Sequence, residues 1–115
     1  MLLSAIFLTG VFAVGTVAAE AAQPIIKVMP AYPRIAWVDR IEGNVQVQFN
    51  VNSQGIVENI RVVRASHPIF ETNVIDAVSR YRFSPGAQRG VTETFRFSLS
   101  GNDSDPEPVV TASEI

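Results

Sequence analysis

The stretch Gly43-Asn-Val-Gln-Val-Gln-Phe-Asn-Val51 decides the fold. Val45, Val47, Phe49 and Val51 share one parity, and Asn44, Gln46, Gln48 and Asn50 share the other. Side chains alternate across a strand with period two, so this strand carries one apolar face and one amide-rich, uncharged face. Its apolar row needs partner strands and a covering element. The flanking sequence has to supply both.

Downstream, Asn52-Ser53-Gln54-Gly55 is a turn sequence whose glycine takes positive φ. Ile56 to Ala65 follows as a second strand, antiparallel because the loop is short. Its alternation is imperfect: Ile56, Ile60 and Val62 share a parity, and Val57 and Val63 take the other. Either both sides are partly covered or a bulge shifts the register. Ser66-His67-Pro68 breaks the strand. From Ile69 to Tyr81, Phe70, Val74, Ala77 or Val78, and Tyr81 form a helical stripe, which ends before Ser84-Pro85-Gly86. Thr92 to Leu99 is a third strand with Phe95, Phe97 and Leu99 inward and Thr94, Arg96 and Ser98 outward.

Upstream, Pro30-Ala-Tyr32-Pro33 is extended, since each proline pushes its predecessor out of the helical region. Pro33 then suits the first position of a short helix over residues 34–40. Trp37 is expected to pack under the sheet edge. The resulting fold class is α+β with the order αββαβ: a three-stranded antiparallel sheet, the Gly43 strand in the middle, and two helices on its apolar face. The Thr92 strand would present a free edge. Residues 22–29 are a short linker, 30–100 the domain, and 101–115 a polar, Pro-rich, acidic tail expected to be disordered.

At 115 residues the chain is a single domain. It has no cysteine, which excludes disulfides and thiolate metal sites. Residues 22–100 hold nine basic and six acidic side chains, whereas Asp103, Asp105, Glu107 and Glu114 make the tail purely acidic. An excess of three positive charges on the body is too small to argue for nucleic acid. Leu2 to Ala19 is an uncharged run of eighteen residues. Residues 1–21 are therefore read as a signal peptide or a transmembrane anchor. Small residues near Ala19 suit cleavage, while the length suits retention. Both outcomes place the domain in the periplasm, either held at the cell inner membrane by residues 2–19 or released.

Pro30-x-Tyr32-Pro33, Arg40-Ile-Glu-Gly43-x-Val45-x-Val47-x-Phe49-x-Val51, Gly55-x-Val57, and Arg80-Tyr81-Arg-Phe83-Ser-Pro85-Gly86 followed by an aromatic strand resemble the C-terminal domain of TonB. The resemblance runs from about Pro30 to Leu99 and makes these residues the structural motif. It implies a non-enzymatic energy transducer in transmembrane transport, which grips the TonB-box peptides of outer-membrane receptors and is driven by an inner-membrane ExbB–ExbD complex. By position, the box would pair with the edge of Thr92, Thr94, Arg96 and Ser98, with Val28, Pro30, Tyr32 and Pro33 alongside. An exposed edge strand is in itself a template for another strand. Self-association of two chains through the same edge, or a regulatory role without energy transduction, is the rival reading. The family's long Pro-rich spacer does not follow the apolar run, and the dozen residues that do follow it reach only about 40 Å.

Other chemistry is poorly supported. His67 is the only histidine, so no metal site is expected. No nucleophile–base pair is evident, so no catalytic residue and no cofactor are assigned. Arg80-Tyr-Arg-Phe83 reads as the end of an amphipathic helix with outward arginines rather than an RNA-binding run. Arg61 and Arg64 read as solvated strand positions. Asn102-Asp-Ser104 matches a glycosylation acceptor by coincidence.

Overall fold

A computed structural model describes residues 22–102 and 104–114. The expected signal or anchor, residues 1–21, lies outside the described residues. Strands β1 (Pro24–Ile26), β2 (Gly43–Val51), β3 (Val57–Ala65), β4 (Arg82–Phe83), β5 (Gln88–Asn102) and β6 (Asp105–Glu114) alternate with helices α1 (Arg34–Val38) and α2 (Glu71–Ser79). The main sheet is antiparallel in the order β3-β2-β5-β6, and β1 pairs with β4 in a separate two-stranded ribbon.

The Gly43 strand is central, as its alternation predicts: Val45, Val47, Phe49 and Val51 are buried, and the amide row between them is not. They meet Phe95 and Phe97 of β5, Phe70, Val74 and Val78 from the helical stripe, and Ala36 of α1 in one core. Phe70 stacks on Phe97 at 4.4 Å between ring centroids, and Tyr32 meets both edge-on at 5.8 and 5.6 Å. Gly43 lets this stack close, because a Cβ there would lie 2.2 Å from Ser66 Oγ and 2.9 Å from the Phe70 ring. Gly55, at φ +84°, is held as tightly, with Phe83 O 2.0 Å from where its Cβ would be.

The uneven alternation of β3 has a definite cause. Its inward residues are Val57, Ile60, Val62 and Ala65, and the two three-residue steps coincide with register shifts against β2. Each shift adds one residue to β3, which reverses which parity faces the core. Asn59 sits at one of them with φ +55°, a left-handed conformation that asparagine tolerates better than most residues. Ile56 and Val63 are left facing solvent.

α2 begins later than the stripe suggests. A 3₁₀ turn over Pro68–Phe70 precedes it, and His67 Nδ1 caps that turn by accepting from Ile69 N at 3.2 Å. α1 is short and ends with Arg40 at φ +58°, donating to Trp37 O while Ile41 donates to Ala36 O. These two bonds form a Schellman termination, with arginine where glycine is usual.

Three expectations need correction. Residues 101–115 are not a disordered tail: Asp105–Glu114 is a regular strand paired to β5. Polar composition argued for disorder, but a hairpin partner satisfies the backbone and Val110 and Ala112 reach the core. As a result the Thr92–Leu99 edge is not free, and the sheet has four strands rather than three. Nor are residues 22–29 a linker, since β1 pairs with β4 and Ala22 is buried. Trp37, finally, is partly exposed and donates its indole N–H to Pro106 O at 3.0 Å instead of packing under the sheet.

Candidate functional site

β5 is the longest strand, and it separates two chemistries. Its core side carries Glu93, Phe95 and Phe97, all buried. Thr92, Thr94, Arg96 and Ser98 lie on the opposite, solvent-facing side, opposite Gln48, Gln46 and Asn44 of β2 for the first three. Gln46 Nε2 donates to Thr94 Oγ1 at 3.4 Å, and Arg61 donates to Gln48 on the same face. The face is a continuous polar surface, as expected for an antiparallel sheet covered on one side.

Val28, Pro30, Tyr32 and Pro33 belong elsewhere. Pro30 is buried, and Tyr32 lies against Phe97 and Phe70, so this segment crosses the core side of β5 rather than flanking its hydrogen-bonding edge. The Tyr32 hydroxyl donates to Ile41 O, and Asn73 Nδ2 donates to Ala31 O at 2.9 Å. Burial, reinforced by the Glu42 carboxylate, pushes the Tyr32 phenol above its usual value of 10.0. The eight sequence-assigned positions therefore fall on two sides of one strand.

The hydrogen-bonding edge of β5 is occupied by β6 from Glu93↔Glu114 to Asn102↔Asp105, ten consecutive pairs without a register shift. β6 stops there, so among the described residues Gln88–Thr92 pair on the β2 side alone. Beside the start of β6, Arg34, Trp37, Val38 and Arg40 form an open groove of about 290 Å³ against Pro106.

Sequence reasoning missed Glu93. It is 1 % exposed, and its Oε1 takes the Lys27 ammonium at 3.0 Å and the Tyr81 hydroxyl at 3.3 Å. Lys27 Nζ also stands 5.9 Å from the Tyr81 ring centroid. The signal was available: Glu93 shares the parity of Phe95 and Phe97, and an acid on an apolar face calls for a cation. Lys27 supplies it, fixing the N-terminal segment under β5. No cluster of three or more His, Cys, Asp or Glu side chains capable of holding a metal occurs among the described residues.

Residues 28–100 match the family model described as the Gram-negative bacterial TonB protein C-terminal. The chain is 38% identical to Protein TonB of Klebsiella pneumoniae over 81 residues, covering 69% of this chain and 33% of the relative. Against Protein TonB of Escherichia coli K12 the identity is 33% over 88 residues, covering 75% and 37%. The chain thus spans about a third of the length of these curated relatives. The solution structure of the Pseudomonas aeruginosa TonB C-terminal domain superposes with a TM-score of 0.64 at 31% identity, covering 70% of this chain and 89% of that one. With its central strand, core and two helices matching in sequence and in fold, the chain belongs to the TonB C-terminal family.

Proposed function

We propose that this domain is a TonB-like periplasmic peptide-binding module, which engages outer-membrane TonB-dependent transporters by strand addition to β5 during energy-dependent uptake. The observation that carries the reading is the ten-pair ladder on the outer edge of β5, which shows that this edge accepts an extended segment along most of its length. Backbone hydrogen bonds supply affinity in such recognition, and alternate side chains supply specificity. Thr92, Thr94, Arg96 and Ser98 flank the ladder on the solvent side, and Tyr32 and Phe97 back it on the core side. An ExbB–ExbD-type complex is the proposed source of energy, acting from the inner membrane. The domain binds and transmits; it catalyses no reaction.

Titration of the ¹⁵N-labelled chain with the TonB-box peptide of a transporter from the same organism tests this. Amides of Thr92–Leu99 are expected to shift while those of β3 stay in place. Spectra unchanged at millimolar peptide would exclude the reading.

A further inference from the structure

The occupied edge carries more information than a vacant one would. Leu99 N donates to Glu42 Oε2 at 2.7 Å, away from β6, so Leu99↔Pro108 is a pair without mutual hydrogen bonds. Pro106 shares the parity of Pro108, and both therefore turn their missing N–H groups toward the open side. Val109, Thr111 and Ser113, of the opposite parity, keep their N–H groups for β5. On the core side, Val110 pairs with Phe97 and Ala112 with Phe95, and both pack against the core. Pro106 O receives the Trp37 indole N–H.

None of the β6 side chains is fully buried. Nothing else in the sheet is held this way. β3 is bulged twice and charged with Arg61 and Arg64, and β2 is buried at the centre. β6 makes a regular ladder and commits few side chains to the core, the profile of an element that opens without unfolding the rest.

We propose that β6 is a tethered occupant of the peptide site, and that the transporter segment which replaces it repeats its pattern. That segment is extended, carries small or β-branched apolar side chains at the two alternate positions filled by Val110 and Ala112, and offers a carbonyl to Trp37. The proposal rests on the edge-pairing reading above and adds to it the chemistry of the partner. It also makes apparent affinity depend on release of β6, because a tethered strand competes at high effective concentration.

The full chain provides the test, with the synthetic peptide Ser-Asp-Pro-Glu-Pro-Val-Val-Thr-Ala-Ser-Glu, the sequence of residues 104–114, as probe. Thr111→Pro deletes one N–H of the β6 ladder and leaves every β5 residue intact. Ser98→Cys with Val109→Cys, at positions facing each other across the pair, fixes β6 in place by a disulfide in a chain that has no other cysteine. The Thr111→Pro chain is expected to bind the probe at least tenfold more tightly than the native chain, with shifts in Thr92–Leu99 amides. The oxidised double-cysteine chain is expected to show none until reduced. A probe carrying aspartate at the Val110 position should lose at least tenfold.

Equal binding by released, native and disulfide-fixed chains overturns the proposal. So does a transporter peptide that shifts the β5 amides in the Thr111→Pro chain without being displaced by the probe, although edge pairing itself would then stand. Conversely, if the probe binds the released edge and transporter peptides bind elsewhere, the tethered occupant stands and the edge-pairing reading falls.

Discussion

Lys27 and Glu93 show how one buried charge organises a segment that composition describes as a linker. Removing the ammonium leaves a carboxylate in the core with only Tyr81 to satisfy it among the contacts described, and an unpaired buried charge is far costlier than a missing surface pair. Because Lys27 is about one-third exposed, solvent offsets part of this, and Lys27→Met is expected to cost about 2 kcal/mol. Chemical denaturation would register it as a lower midpoint, and Glu93→Gln in the same background should recover part of the loss. Tyr32 gives a pH signature. Its folded-state pKa is raised, so the folded chain keeps a proton that the unfolded chain sheds. Its contribution is therefore complete below about pH 10 and declines as pH rises from there through the folded value. Tyr32→Phe should flatten the alkaline part of the melting-temperature profile between pH 9 and 11, while lowering stability at pH 7 by about 1 kcal/mol through loss of the Ile41 hydrogen bond.

At the scale of elements, legibility in the sequence followed periodicity. β2 and the Phe70–Tyr81 stripe were readable because an unbroken period maps directly onto a buried face. β3 was readable only as an ambiguity, since its two bulges add residues that no single-strand pattern can place without its partner. β6 was not readable at all. Pro106 and Pro108 argue against a strand unless it is an edge with both rings turned outward, and that depends on register with β5, which is a non-local fact. The candidate site inherited this blind spot: its outward residues were correctly placed on β5, and the strand lying beside them was not anticipated. The differences in burial predict a hierarchy in hydrogen exchange. Amides of β2 and the β2-facing amides of β5 should exchange only through global unfolding, whereas Val109, Thr111 and Ser113 should exchange at least a hundredfold faster through local release of β6.

For the whole molecule, the arrangement of edges bears on self-association. On the β3 side, bulges and arginines discourage further pairing. On the β6 side, the two prolines remove donors from the half nearest the hairpin turn. The native chain is therefore expected to sediment as a monomer up to about 100 μM, in detergent if the apolar N-terminus is retained. Dimers at low micromolar concentration would instead favour the rival reading of a self-associating module. Among the described residues no helix is long and apolar enough to cross a membrane, so any anchoring would have to come from outside them.

The overhang of β5 beyond β6 has a kinetic consequence. Gln88–Thr92 continue the strand past the last β6 partner, and the free end of β6 lies at that boundary, while its other end is tied by the hairpin turn. An incoming strand can land on this toehold and then advance toward Asn102, making one pair for each one it breaks. Exchange then proceeds by branch migration, its barrier set by the first few pairs rather than by all ten. A site that is closed at equilibrium would still be quick to change hands.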